Sequence, residues 1–217
     1  MNLDKFDIYH DKKSTSSKKQ EYINQDSFGK SDEEKIIIIE NLFSKIMVQL
    51  GLDLKDDSLK DTPKRIAIMY VKEIFSSLNK QNKPKISLFD NKFDYEKTIT
   101  QKNINLISIC EHHFLPFIGH AHVGYISSGR IIGLSKLNRV VKFYSKKPQV
   151  QERLTKEIFD ELKNILHTES VIIVIEAKHL CVSCRGVEDT ESSTTTIQYG
   201  GEFNTNSKKE EFFTLIK

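Results

Sequence analysis

Cysteine is scarce in this chain of 217 residues, and apolar runs of membrane length are absent. Only three cysteines occur, an odd count that argues against a disulfide framework and fits a reducing compartment. No apolar segment approaches the length that spans a bilayer, and the N-terminus has neither an h-region nor a cleavage signal. The sequence therefore predicts a cytoplasmic protein with no membrane partner. No run of Lys and Arg is interleaved with aromatics, so the footprint of a nucleic-acid partner is missing too. No internal repeat is visible. A net charge of +3 permits an anionic small ligand without demanding one. With 38% hydrophobic and 29% charged residues, the composition is that of a soluble globular chain able to bury a sizeable core.

What cysteine there is lies together. Ser-Ile-Cys-Glu-His-His at 108–113 and Lys-His-Leu-Cys-Val-Ser-Cys-Arg-Gly at 178–186 hold all three cysteines and three of the seven histidines. Thiolate sulfur and imidazole nitrogen are the donors zinc prefers, and three protein ligands with a fourth position left to water is the catalytic arrangement. The set read here is Cys110, His113 and Cys181. Both stretches follow strand-like runs, Asn105–Ile109 and Val171–Ala177. Strand residues three apart face opposite sides, so Cys110 and His113 converge only if the chain curls after Cys110. His179 and Cys181, two apart, share one face, so a metal at Cys181 puts His179 in the same pocket, and Cys184 would face away unless the strand has already bent. A structural zinc knuckle would need a second Cys-x-x-Cys pair, which the chain lacks. That leaves Cys184 as a minor alternative for a fourth ligand.

Residues 1–30 are polar, with no apolar periodicity, and predict a mobile tail. Ser31 to Glu34 reads as a capping box, and Ile39, Leu42, Phe43, Ile46, Met47 and Leu50 follow at helical spacing up to Gly51. Thr62-Pro63 opens a second helix, with the Thr62 hydroxyl as cap. Strand texture begins near residue 97, with segments at 98–109, 117–126, 130–134, 171–177 and 192–199. Between the third and fourth lie a helix over 135–145 and a longer one opened by Pro148. Ser207 to Glu210 repeats the capping-box pattern before a short final helix. The order is helices, strands, helices, strands, helix, which is α+β with a mainly antiparallel sheet.

Ser135, Lys136 and Arg139 open a helix directly after a strand, where free backbone N–H groups and the helix dipole attract anions. Arg185, four residues past Cys181, adds a planar fork, and phosphate is the natural ligand. Gln151 and Glu152 could together read the N–H edge of a guanine, but a dipole-favourable glutamate on a solvated face is the plainer reading. His112 and His179 neighbour the metal set and suit proton transfer. His120 and His122 alternate along a strand, as part of the same wet pocket or of a merely polar face. His10 and His167 read as surface residues.

Five ordered motifs now add a resemblance. Cys-Glu-His-His at 110–113, Gly-Leu-Ser-Lys-Leu-Asn-Arg at 133–139, Pro-Gln-Val-Gln-Glu-Arg-Leu-Thr at 148–155, His-Leu-Cys at 179–181 and Arg-Gly-Val-Glu-Asp from 185 resemble the GTP cyclohydrolase I family. Asp-Thr-Pro-Lys-Arg at 61–65 does so too, and the likeness covers about 35–215. It implies a tunnelling fold, an antiparallel sheet with helices on one face, preceded by N-terminal helices. Residues 31–217 would form the catalytic domain, helical over 31–80 and tunnelling from about 97. The family's assembly is two stacked pentamers with sites between subunits, so a homodecamer is implied. The implied reaction takes GTP and water to formate and 7,8-dihydroneopterin triphosphate, the first step toward folate or other pterins.

Carried over by motif, Cys110, His113 and Cys181 hold zinc, and His112 and His179 handle protons. Glu152 and Gln151 grip the guanine, Lys136, Arg139 and Arg185 hold the triphosphate, and Ser135 lies near the ribose. Other readings are another tunnelling-fold enzyme acting on a pterin or deazapurine, and a non-catalytic zinc-stabilised module. Cys184 stands where no fixed ligand is expected, and its thiol beside a metal site is open to oxidation. Glu188 and Glu191 bring extra acid near Arg185.

Overall fold

A long amphipathic strand pair forms the frame on which the rest is hung. In the computed structural model, which describes residues 29–217, β2 (Ile99–Cys110) and β3 (Pro116–Tyr125) run antiparallel, and β6 (Val171–His179) and β7 (Thr194–Tyr199) extend the sheet. A two-residue strand, β5 (Pro148–Gln149), pairs parallel to the end of β2, giving the order β5-β2-β3-β6-β7. β1 (Leu88–Asp90) and β4 (Arg130–Ile132) form a separate two-stranded ribbon. Residues Asp32–Lys217 are one compact unit, and the polar segment predicted as a tail lies, up to residue 28, outside the described residues.

Alternation along the strands decides which face is covered. Val171, Ile173, Ile175 and Ala177 of β6, with Phe117, Ala121 and Val123 of β3, pack on two helices, α3 (Leu134–Ser145) and α4 (Gln151–Leu166). Those helices present Leu137, Val140 and Val141, and Leu154, Ile158, Leu162 and Leu166, each at helical spacing and almost fully buried. Each such side chain removed from water contributes about 1.5–3 kcal/mol. Ile172 and Val174 point the other way, onto Phe203 and Phe212, where the C-terminal helix α6 (Asn206–Ile216) covers one end of the opposite face. Gly119 permits the close approach of β3 and β6, since a Cβ there would stand 1.9 Å from the Glu176 carbonyl oxygen.

The five predicted strand segments are all present, and the mixed α+β architecture with an antiparallel sheet is that of the tunnelling fold. Local details differ. Helix α1 (Asp32–Gln49) ends before Gly51, which takes φ 82°, as predicted, yet Met47 is its only buried residue and Leu42, Ile46 and Leu50 are exposed. In α2 (Thr62–Ile68) the N-cap is Asp61, without a side-chain cap; the Thr62 hydroxyl instead reaches back to the Ser58 carbonyl. The chain then widens into a π-turn, Met69–Ile74, where Tyr70 packs among Phe43, Phe75 and Phe114. Pro148 does not open the long helix. It sits in β5, and the helix starts at Gln151 because the Gln149 carbonyl is engaged by the Glu111 N–H. The last helix is capped by Thr205, whose hydroxyl accepts from the Lys208 N–H, rather than by Ser207.

Candidate active site

The curl expected after Cys110 is a tight turn. The Phe114 N–H donates to the Cys110 carbonyl at 2.9 Å and the Cys110 N–H to the Leu115 carbonyl at 2.8 Å, with Phe114 at φ 55°. This turns His113 back toward the strand end. The strand predicted over 171–177 runs on to His179, and a single helical turn, α5 (Leu180–Ser183), then carries Cys181 inward. His179 and Cys181 therefore do not share a strand face. Cys181 still reaches the site, half-buried against the core, because a helical turn swings it round. The Cys110, His113 and Cys181 donor atoms lie within 4.8 Å of one another, the one such group of three metal-ligating residues among the described residues.

Two sulfurs and one imidazole nitrogen at that spacing fit a zinc-type ion, and Cys110 is 6% exposed while His113 is open to solvent. Without a cation, burial pushes the Cys181 thiol up, the adjacent Cys110 adds to the shift, and Arg185 opposes it. His112 lies beside Cys110, with Nδ1 at 3.7 Å from Sγ. Arg185 reaches His113, with Nη1 at 3.1 Å from Nε2.

His179 is held from two sides. Its ring stacks on Phe117 at 4.7 Å, and Nε2 is 2.8 Å from the Gln151 Oε1. Gln151 is itself locked, with its amide nitrogen donating to the carbonyls of Ile175 and Thr194 and to the Thr196 hydroxyl. Two backbone acceptors fix which end of the amide is nitrogen, so Oε1 accepts and His179 Nε2 carries the proton, leaving Nδ1 with the lone pair. Burial holds the His179 pKa below the usual range, against the opposing charge of Glu152. Glu152 is exposed in the first turn of α4.

Ser135, Lys136 and Arg139 open α3, whose N-cap Gly133 offers no side-chain cap and whose first turn has no acid. Neither Lys136 nor Arg139 makes an ion pair with a described residue. Glu188 and Glu191 form none with Arg185; the Asp189 carboxylate instead accepts the N–H groups of Glu191 and Ser192. His120 and His122 project from the opposite face of the sheet to Cys110, into a cavity of about 970 Å³ with Asn105, Glu176 and Lys178, and so are not part of this site within the chain.

The fastening behind the Cys110–His113 turn was not foreseen. Arg153 of α4 bonds the Glu111 carboxylate and, at 2.9 Å, the Gln149 Oε1; Gln149 in turn donates to Glu157, which also meets Lys147. The only available signal was an acid between two ligand positions and an arginine one helical turn past a glutamine.

The comparisons agree with this geometry. The sequence model of the family described as GTP cyclohydrolase I matches residues 39–217. The chain is 54% identical over 202 residues to a GTP cyclohydrolase 1 of Flavobacterium johnsoniae, covering 93% of this chain and 91% of the relative. To the GTP cyclohydrolase 1 of Buchnera aphidicola subsp. Schizaphis graminum it is 51% identical over 185 residues, covering 85% and 84%. To that of Edwardsiella ictaluri it is 48% identical over 180 residues, covering 82% of each. With its motifs, its sheet and its clustered Cys–His–Cys donors, the chain belongs to the GTP cyclohydrolase I family.

Proposed function

We propose that this protein hydrolyses and rearranges GTP to 7,8-dihydroneopterin triphosphate and formate, the first step toward folate or another pterin, with zinc held by Cys110, His113 and Cys181. The observation that carries the reading is the convergence of those three donors in a chain of this family. When bound, zinc supplies Lewis acidity that makes water a nucleophile near neutral pH.

The chain's own residues bind, orient and move protons. His179, neutral through burial and with Nε2–H tied to Gln151, presents the Nδ1 lone pair for proton exchange with a purine ring nitrogen. His112, exposed beside Cys110, is the second proton carrier. Glu152 accepts from the N–H edge of the guanine. Gln151 has its amide fully engaged, which favours a role in orienting His179 over a side-chain grip on the base. Lys136, Arg139 and Arg185 hold the triphosphate, with Ser135 near the ribose. A neutral imidazole has one lone pair, so with a metal held by His113 the Arg185 guanidinium would give up its contact with that ring and be free for a phosphate oxygen. Anchoring both ends keeps the opened intermediate in place through ring closure.

The catalytic domain is 31–217, and the assembly is a decamer of two pentamers with sites between subunits. Support for self-association comes from α1, whose Ile37, Leu42 and Ile46 remain exposed in one chain, together with Leu50 just past its end. The test is to incubate the purified protein with GTP and measure formate together with fluorescent oxidised neopterin. Both are expected in equal amounts, and GTP binding without formate would refute the assignment.

A further inference from the structure

We propose that Cys184 is an oxidation site whose product is a disulfide with Cys181. The metal consequence rests on the reading that Cys181 is a ligand, but the bond itself does not. The two cysteines are Cys-x-x-Cys across the single turn α5, and Cys184 is its C-cap, at φ −103° and ψ 1°, with its N–H donating to the Leu180 carbonyl at 3.0 Å. The helical hydrogen bond thus extends to Cys184. Residues three apart on a helix have Cα atoms about 5 Å apart from a 1.5 Å rise and 100° rotation per residue. That lies inside the roughly 4.4–6.8 Å over which a disulfide closes. The sulfur vectors still have to swing together, and little opposes this: residues 184–195 are all exposed, and Gly186 at φ 64° already turns the chain away.

The three thiols differ in access. Cys110 is buried, Cys181 half-buried, and Cys184 exposed. A peroxide therefore meets Cys184 first. The Cys184 sulfur attacks one peroxide oxygen, the O–O bond breaks, and sulfenic acid and water form. The Cys181 sulfur then attacks the Cys184 sulfur, the S–O bond breaks, and a second water leaves with the thiol proton. Two thiols lose two electrons in all, and the peroxide takes them up. Cys181 is then lost as a donor, and Cys110 and His113 are too few to retain the ion.

The test treats the zinc-loaded enzyme with graded hydrogen peroxide, following zinc release with a chromogenic indicator and bond formation by mass spectrometry. Trypsin cuts after Lys178 and Arg185, so one peptide, 179–185, holds both cysteines and becomes lighter by two hydrogen atoms when bridged. In the wild type, zinc release should rise in step with the bridged peptide, and dithiothreitol with added zinc should restore the starting state. Cys184→Ser should keep its basal turnover and release zinc several-fold more slowly. The proposal is overturned if Cys184→Ser releases zinc at the wild-type rate, if the bridge joins Cys110 to Cys181, or if Cys184 oxidises without a bridge. If the purified protein holds no zinc, the metal reading fails, and the bridged peptide alone decides the oxidation site.

Discussion

The two faces of the central sheet carry similar ionisable side chains and hold them very differently. On the helix-covered face, His179 is stacked on Phe117 and tied to a glutamine with three further bonds, and two thiols converge nearby. On the other face, His120 is exposed, while His122 accepts a single long bond of 3.4 Å from the Asn103 N–H. Both faces show histidines to a reader of the sequence. Only one fixes a tautomer and pairs it with soft metal donors, so what marks a candidate site is the support behind the histidine rather than the histidine itself.

Breaking the first face should cost most at the donors. Cys181→Ala is expected to remove bound metal and lower formate release by more than about 10³-fold, read by elemental analysis and turnover. His112→Ala should keep the metal and lose turnover, separating proton carrier from ligand. Gln151→Leu should leave metal content unchanged and reduce turnover about 10- to 100-fold, because His179 loses the acceptor that sets its tautomer. It should also cost about 1–3 kcal/mol in denaturant unfolding, since the buried Ile175 carbonyl loses its Gln151 donor. Arg153→Met should weaken metal affinity about 10-fold with a smaller effect on turnover at saturating zinc, as Glu111 loses its anchor.

The opposite face sharpens the contrast. Burial, the neighbouring His120 and Lys102 lower the His122 pKa, and Glu176 opposes them. Its native pKa lies below its unfolded value, so as pH falls below about 6.5 the unfolded chain takes the proton first and stability declines. His122→Asn should flatten that decline in unfolding experiments between neutral and mildly acidic pH while leaving turnover unchanged. A loss of turnover would join the two faces functionally.

How much of this could be read beforehand follows from the range of each interaction. The donors were legible because Cys110 and His113 are three apart and any turn after a strand brings them together. The stripe Leu154, Ile158, Leu162 announced α4 by its period alone. The work of Gln151 was hidden, because its partners come from β6 and β7, 24 to 45 residues away. The π-turn at Met69–Ile74 follows from the aromatic cluster around Tyr70, which draws on Phe43 and Phe114 far along the chain. The helical turn at Leu180–Ser183 was missed because Lys178 to Cys181 suits strand and helix alike.

The most direct test is a zinc titration of turnover after chelation. Metal-free protein is expected to make no formate from GTP, with activity returning in proportion to added zinc and reaching a plateau at one ion per chain. Undiminished formate release by protein verified to be metal-free would contradict that expectation.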